Sequence, residues 1–177
     1  KAAGVPAYKL LGGKVRDRVR VYNGSLRRPK SGTRPEDFAD DVRWMMELPE
    51  KFFMVKQGIG FHSAMKDDVA DFHYGPKQVK AGYHGAMDQG QISERGMAHM
   101  IDCVIAMKEV LGDKVSLALD CGPGWFLNDA IRFARAVEKY DLMWLEDMLT
   151  GDYVPWVNPQ AYRELTMSTS TPIHTGE

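Results

Sequence analysis

Three acidic residues in the last third of the sequence each end a short apolar run. Asp120 ends VSLALD, Glu146 ends MWLE and Glu177 ends PIHTGE. Parallel strands that alternate with helices bring their carboxyl ends to one mouth of a sheet or barrel, where three carboxylates repel unless a cation lies among them. Oxygen ligands of this kind suit Mg²⁺. The pattern therefore predicts a magnesium site, and the alternative is three ordinary acids at strand–loop junctions.

Lys56 lies near the end of another apolar run, KFFMVKQGIG. A lysine in this position can pair with a substrate carboxylate, or act as a base if burial lowers its pKa. The alternative is a salt bridge from Lys56 to one of the predicted metal-binding acids.

Histidines and a tryptophan lie near the same predicted strand ends. His62, His73 and His84 follow the second predicted strand, and any of them can act as an acid or base near neutral pH. His62 is closest to the predicted mouth, so we expect it to be the catalytic one; a solvent-exposed loop histidine is the alternative. Trp125 follows a strand end and is expected to wall the substrate pocket. His174 is expected either to line the barrel at the substrate or to pack beneath the metal.

The order of elements predicts an α/β protein. Runs typical of strands occupy 19–26, 51–60, 115–120, 142–146 and 172–177, with helical patterns between them. Residues 61–91 lack a sustained period, as is typical of a functional loop or lid. Repeated βα units require parallel strands, in either an open doubly wound sheet or about five of the eight units of a TIM-type (β/α) barrel. No Gly-rich phosphate motif follows the first strand, which argues against a nucleotide-binding sheet.

Four segments, GVPAYKLLGG, LALDCGPGW, MWLEDM and TPIHTGE, together resemble the mandelate racemase and muconate-lactonizing group of the enolase superfamily. The resemblance implies that residues 1–18 are the junction from a missing capping domain. It also implies that residues 19–177 are the amino-terminal part of the barrel, strands one to five. Asp120, Glu146 and Glu177 would be the Mg²⁺ ligands, and later strands would bring a further acid or base.

Two positions depart from this family's pattern. The family often has Lys-x-Lys at the end of the second strand, with the second lysine as a base, whereas VKQG has Lys56 first and then Gly58. Gly122 replaces an asparagine that is common two residues after the metal-binding aspartate. Both departures argue against a mandelate-type mechanism with two bases. We therefore expect Lys56 to act electrostatically on the substrate or its enolate.

These features predict a Mg²⁺-dependent enzyme that abstracts the proton α to a carboxylate and stabilises the resulting enolate. The most specific expectation is a lyase that dehydrates sugar acids, with His62 completing proton transfer. Two alternatives remain: a racemase, epimerase or cycloisomerase acting on the same enolate, and a non-catalytic relative that binds a metal or an acid.

Composition narrows the class of protein further. The chain has 177 residues, 44% hydrophobic and 27% charged, with a net charge of −1, so nucleic acid and anionic membranes are not expected partners. Two cysteines and no apolar run long enough for a membrane span favour a cytoplasmic protein. We expect a homo-oligomer as the full-length protein. Because Glu177 is the last residue, we expect a piece of a longer protein that is inactive on its own.

Overall fold

The computed structural model describes residues 1–24, 30–75, 89–149 and 158–176. Within these ranges the strands are β1 (Met54–Gly58), β2 (Ser116–Asp120), β3 (Leu145–Glu146) and β4 (Ile173–His174). The helices are α1 (Ala7–Leu10), α2 (Pro35–Glu47), α3 (Met65–Asp68), α4 (Glu94–Leu111), α5 (Leu127–Val137) and α6 (Pro159–Met167). Short 3₁₀ turns cover Gly60–His62 and Glu138–Tyr140.

The four strands form one parallel sheet in the order β1-β2-β3-β4. One long helix lies between each pair of consecutive strands: α4 after β1, α5 after β2 and α6 after β3. Parallel neighbours require such crossover connections, because a short turn cannot return the chain to the start of the next strand. The predicted α/β class with parallel βα units is therefore confirmed.

Of the first predicted strand, 19–26, the structure describes residues 19–24, and these form a strand only in part. Among residues 19–24, Asn23 alone pairs with the sheet, as a parallel bridge to Val55 of β1. Its backbone N–H donates to the Met54 oxygen at 3.0 Å, and the Lys56 N–H donates to the Asn23 oxygen at 2.8 Å. Val19 and Val21 are 71% and 61% exposed. Their β-branched side chains favour a strand only where a neighbouring surface packs against them, and the described residues offer none.

The core lies between the sheet and the helices that cross it. Helix α2 buries Phe38, Val42 and Met45, and helix α4 buries Met100, Val104 and Met107. These side chains pack in one cluster with Leu117 and Leu119 of β2. Because β2 is buried between its neighbours, its carboxyl end is held rigidly, and that end carries Asp120.

Part of the predicted loop 61–91 packs onto this core. Phe61 and Phe72 are buried, and His73 forms an antiparallel bridge with Ile92. Residues 76–88 lie outside the described ranges, so a role of the whole loop as a lid stays a prediction. Cys103 and Cys121 are buried free thiols. None of the described helices has the length and apolar character needed to cross a membrane.

Candidate metal and substrate site

Two of the three predicted metal ligands meet at the carboxyl ends of neighbouring strands. In the parallel pairing of β2 with β3, Asp120 lies directly opposite Glu146. Both side chains are largely buried, at 13% and 19% exposure. The pairing follows from the sequence, since each acid is the last residue of its strand and parallel strands end at one edge of the sheet. Two partly buried carboxylates in this position attract a cation.

Lys56 of β1 supplies a positive charge to both carboxylates. Its Nζ donates to Asp120 Oδ2 at 3.0 Å and also hydrogen-bonds to Glu146 Oε1. Burial alone would lower the pKa of Lys56, but the hydrogen bonds and charges of Glu146 and Asp120 outweigh it, so the pKa lies above its ordinary value. The structure thus contains the ion pair that the sequence left open as an alternative. The raised pKa disfavours Lys56 as a base, because a base must first lose its proton. An electrostatic role of Lys56 toward the substrate stays a prediction.

Trp144 and His174 form an aromatic wall beside Glu146. The Trp144 Nε1–H donates to Glu146 Oε2 at 2.7 Å. The His174 ring stacks on Trp144 with centroids 4.8 Å apart, and the Tyr22 and Trp144 rings form a T-shaped pair at 5.2 Å. His174 lies opposite Glu146 in the β3–β4 pairing. Trp144 was not among the expected site residues, although its position two residues before Glu146 places both side chains on one face of the strand.

His62 contacts the other carboxylate. Its Nδ1 lies 3.1 Å from Asp120 Oδ1, and its backbone N–H donates to the Cys121 oxygen at 3.2 Å. Burial lowers the pKa of His62, while the negative charge of Asp120 acts in the opposite direction. A carboxylate oxygen can only accept, so a neutral His62 that donated to Asp120 from Nδ1 would have Nε2 as the nitrogen that can accept a proton. The contact places His62 beside a proposed metal ligand, and its catalytic role stays a prediction.

Gly122 explains how the His62 backbone comes so close to the end of β2. It has a φ of +69°, and a Cβ built on it would lie 2.5 Å from the His62 backbone nitrogen. A side chain at this position, including the asparagine common in the resembling family, would collide with that backbone. The departure noted in the sequence therefore has a local structural cause.

A cavity of about 220 Å³ opens beside these groups. Its lining residues are Gly24, Lys30, Lys56, Gln57, Gly58, His62 and Asp120. The sequence did not single out Lys30, which precedes a helix rather than ending a strand. A Cβ at Gly58 would lie 2.6 Å from His62 Cδ2 and 3.2 Å from Lys30 Nζ. The absent side chain at position 58 is therefore what lets these two residues share the cavity wall.

The structure places Trp125 away from the cavity, in contrast to its expected role in substrate binding. Its ring is 4% exposed and packs against Phe61 and Phe133. Its Nε1–H donates to the Cys121 oxygen at 3.2 Å, which satisfies its one polar atom inside the core. The turn after β2 folds back over the strand. Trp125 therefore follows the strand end in sequence but does not line the cavity.

The remaining candidates are placed as follows. His73 stacks on Phe61 with centroids 5.4 Å apart, so its ring packs with the aromatic core. His84 and Glu177 lie outside the described residues. Over the described ranges, no group of three or more His, Cys, Asp or Glu side chains is arranged to hold a metal ion. Asp120 and Glu146 nevertheless have the donor chemistry that Mg²⁺ prefers, since both offer hard carboxylate oxygens. Both also bind a positive charge already, the ammonium of Lys56.

Comparison with known proteins identifies the class of protein that this fold and site define. Residues 62–177 match the family described as Enolase C-terminal domain-like. The chain belongs to this family, which confirms the predicted membership of the enolase superfamily.

Individual relatives match over the whole chain. The sequence is 33% identical to a D-xylonate dehydratase of Haloferax volcanii, covering 100% of this chain and 37% of the relative. It is 29% identical to D-galactonate dehydratase family member ManD of Chromohalobacter salexigens, covering 100% and 41%. A solved structure of a mandelate racemase/muconate lactonizing enzyme-like protein from Rubrobacter xylanophilus is 30% identical, with a TM-score of 0.67 over 97% of this chain and 41% of that one. The chain thus spans about two fifths of these relatives, and the predicted partial barrel is confirmed.

Proposed function

We propose that the full protein dehydrates sugar acids with the help of Mg²⁺, and that this chain contributes most of its metal-binding face. The observation that carries the proposal is a pair of opposed carboxylates at the carboxyl edge of the sheet. Asp120 and Glu146 face each other there, and the ammonium of Lys56 bonds to both. The names of the relatives support the substrate class, since they include a D-xylonate dehydratase and a D-galactonate dehydratase family member.

Asp120 and Glu146 would hold the metal, and Glu177, outside the described residues, is the third proposed ligand. When bound, Mg²⁺ acts as a Lewis acid toward the negative charge that develops on the substrate carboxylate as the α-proton leaves. The two carboxylates are held in place without the metal, because β2 and β3 fix their backbones and Lys56 and Trp144 fix their oxygens. Such positioning before substrate arrives limits the cost of reorganisation during the reaction.

Lys56 and His62 carry the remaining roles in the proposal. Lys56 keeps its proton and adds positive charge where the substrate carboxylate would bind. His62, with Nδ1–H directed at Asp120, offers Nε2 for proton transfer. In a dehydration the α-carbon loses a proton, the β-carbon loses its hydroxyl, and the two leave as water; the enol that remains becomes a 2-keto-3-deoxy acid. His62 can protonate the departing hydroxyl or accept the α-proton.

The test is turnover of a panel of aldonic and aldaric acids by the full-length protein, with Mg²⁺ and with EDTA. The proposal expects a keto-acid product from at least one acid and loss of the product in EDTA. Metal-independent turnover contradicts it. Solvent-deuterium exchange at the α-carbon without dehydration would point instead to racemisation or a related isomerisation, and thermal stabilisation by acids without exchange to a non-catalytic binder. Homo-oligomeric assembly and cytoplasmic location remain predictions.

A further inference from the structure

Lys30 is the second lysine that lines the cavity. The cavity's other lysine, Lys56, is bound to two carboxylates, whereas Lys30 makes no hydrogen bond or ion pair with any of the described residues. Burial lowers the pKa of Lys30, although the charges of Asp41 and Asp120 act in the opposite direction. Lys30 is solvent-exposed overall, and Asp41 and Asp120 are the nearest negative charges that act on it. An anion entering the cavity could contact this ammonium without breaking an ion pair that Lys30 makes among the described residues.

The segment that carries Lys30 is fixed to the fold by a buried acid. Asp41 of α2 is 1% exposed. Its Oδ1 accepts from the backbone N–H and the hydroxyl of Ser31, at 3.3 and 2.9 Å. Its Oδ2 accepts from Gln57 Nε2 of β1 at 3.2 Å. The residue after Lys30 is therefore tied to both the helix and the strand that border the cavity, which limits the positions open to the lysine.

We propose that Lys30 binds a carboxylate group of the acid substrate in this cavity and so selects acids over neutral sugars. The substrate class rests on the proposed function. The cavity volume of about 220 Å³ is several times the roughly 30 Å³ that a water molecule occupies in the liquid, so a carboxylate with attached carbons fits. Gly58 keeps this space open, since a Cβ there would lie 3.2 Å from Lys30 Nζ. Lys30 thus acts alongside Lys56, which is also paired with Asp120 and Glu146.

The experiment compares the full-length protein with its Lys30→Met, Lys30→Arg and Lys51→Met variants by calorimetry. Lys51 is the matched control: it is exposed, precedes β1 at the opposite end from the cavity, and its Nζ lies 3.5 Å from the Met46 oxygen. The titrants are D-gluconate, the dicarboxylate tartrate and the neutral alditol D-glucitol, each in EDTA and in Mg²⁺. Thermal melting of each variant checks that it is folded.

Loss of a hydrogen bond between charged groups predicts roughly 10- to 100-fold weaker gluconate and tartrate binding by Lys30→Met. Lys30→Arg should retain part of the affinity, Lys51→Met all of it, and D-glucitol should bind every variant alike. Equal acid binding by the wild type and a folded Lys30→Met variant overturns the inference. Lys30-dependent tartrate binding without dehydration of any sugar acid would uphold it while contradicting the proposed function. If the wild type binds neither acid, the inference fails, whereas the proposed function is still decided by turnover of the panel of sugar acids.

Discussion

Asp120 lies directly opposite Glu146 across the β2–β3 pairing, and one ammonium group, that of Lys56, bonds to both carboxylates. Any divalent ion that binds these oxygens must share them with that ammonium or displace it. Like charges held on adjacent strands destabilise the sheet unless they are compensated. Lys56 therefore stabilises the fold without metal and competes with metal for the same oxygens.

The Lys56→Met variant is expected to show both effects at once. Without Mg²⁺ it should lose about 1–3 kcal/mol of unfolding free energy, less than the 3–5 kcal/mol typical of a fully buried broken ion pair because these groups are partly exposed. Its affinity for Mg²⁺ should rise by roughly tenfold, since the competing ammonium is gone. Denaturant unfolding and calorimetric titration of Mg²⁺ measure the two quantities. Lys51→Met is the control, and weaker Mg²⁺ binding by Lys56→Met would contradict this account of the site.

Gly122 is expected to tolerate no side chain, because the His62 backbone occupies the space. Gly122→Ala should destabilise the protein by about 1–3 kcal/mol and lower turnover by roughly tenfold, as His62 moves away from Asp120. Gly112→Ala is the control: its φ of +59° is positive, like the +69° at Gly122, yet a Cβ there has no atom within 4 Å. Equal effects of the two substitutions would show that backbone strain, not the contact with His62, limits position 122.

The meeting of Asp120 with Glu146 could be predicted from the sequence because it depends only on strand order. A βα repeat forces parallel strands, and acids that end such strands reach one edge whatever the details of packing. Lys56 lies two residues before the end of β1, and its long side chain reaches the same edge. Glu177 lies outside the described residues, so its part in the trio stays a prediction.

Other parts of the site depend on packing between distant segments, and the sequence does not reveal them. Lys30 belongs to no periodic element, and it reaches the cavity because Asp41 holds Ser31. Trp125 follows a strand end as expected of a pocket residue, but a φ of +103° at Gly124 and a hydrogen bond to the Cys121 oxygen belong to a turn that buries its ring. Such turns are specified by tertiary contacts more than by local spacing.

The hydrogen bond from Trp144 to Glu146 is expected to orient the carboxylate. Trp144→Phe keeps a ring to stack on His174 but removes the Nε1–H donor at 2.7 Å. We expect a loss of about 0.5–1.5 kcal/mol in unfolding free energy and several-fold weaker Mg²⁺ binding. Trp44→Phe, the same substitution at a half-buried position on α2, should leave Mg²⁺ affinity unchanged. Unchanged Mg²⁺ affinity in Trp144→Phe as well would mean that Lys56 and the strand alone orient Glu146.

Ser93 is expected to hold helix α4 and the segment before it together. Its hydroxyl oxygen accepts from the Gly96 N–H at 3.0 Å as the N-cap, and the hydroxyl donates to the Asp71 oxygen. Ser93→Ala should therefore cost about 0.5–2 kcal/mol, the usual range for a lost cap. Ser116→Ala, at an exposed position at the start of β2, should cost much less. Denaturant unfolding checks both, and equal costs would indicate that the cap is dispensable.

The isolated 177-residue chain is expected to self-associate. Apolar side chains in its first segment are exposed, including Leu11 at 86%, Val15 at 88% and Val19 at 71%. The described sheet also ends at β4 on one side and at the single bridging residue Asn23 on the other, so strand edges are open to pairing with other copies.

Light scattering after size-exclusion chromatography should show large or mixed species, with dye binding to exposed apolar surface. The relatives are more than twice as long as this chain, so the full-length protein serves as the control. It should be monodisperse in the same measurement. A monomeric isolated chain with one cooperative melting transition would mean that these surfaces need no cover, and that the partial barrel is a stable unit by itself.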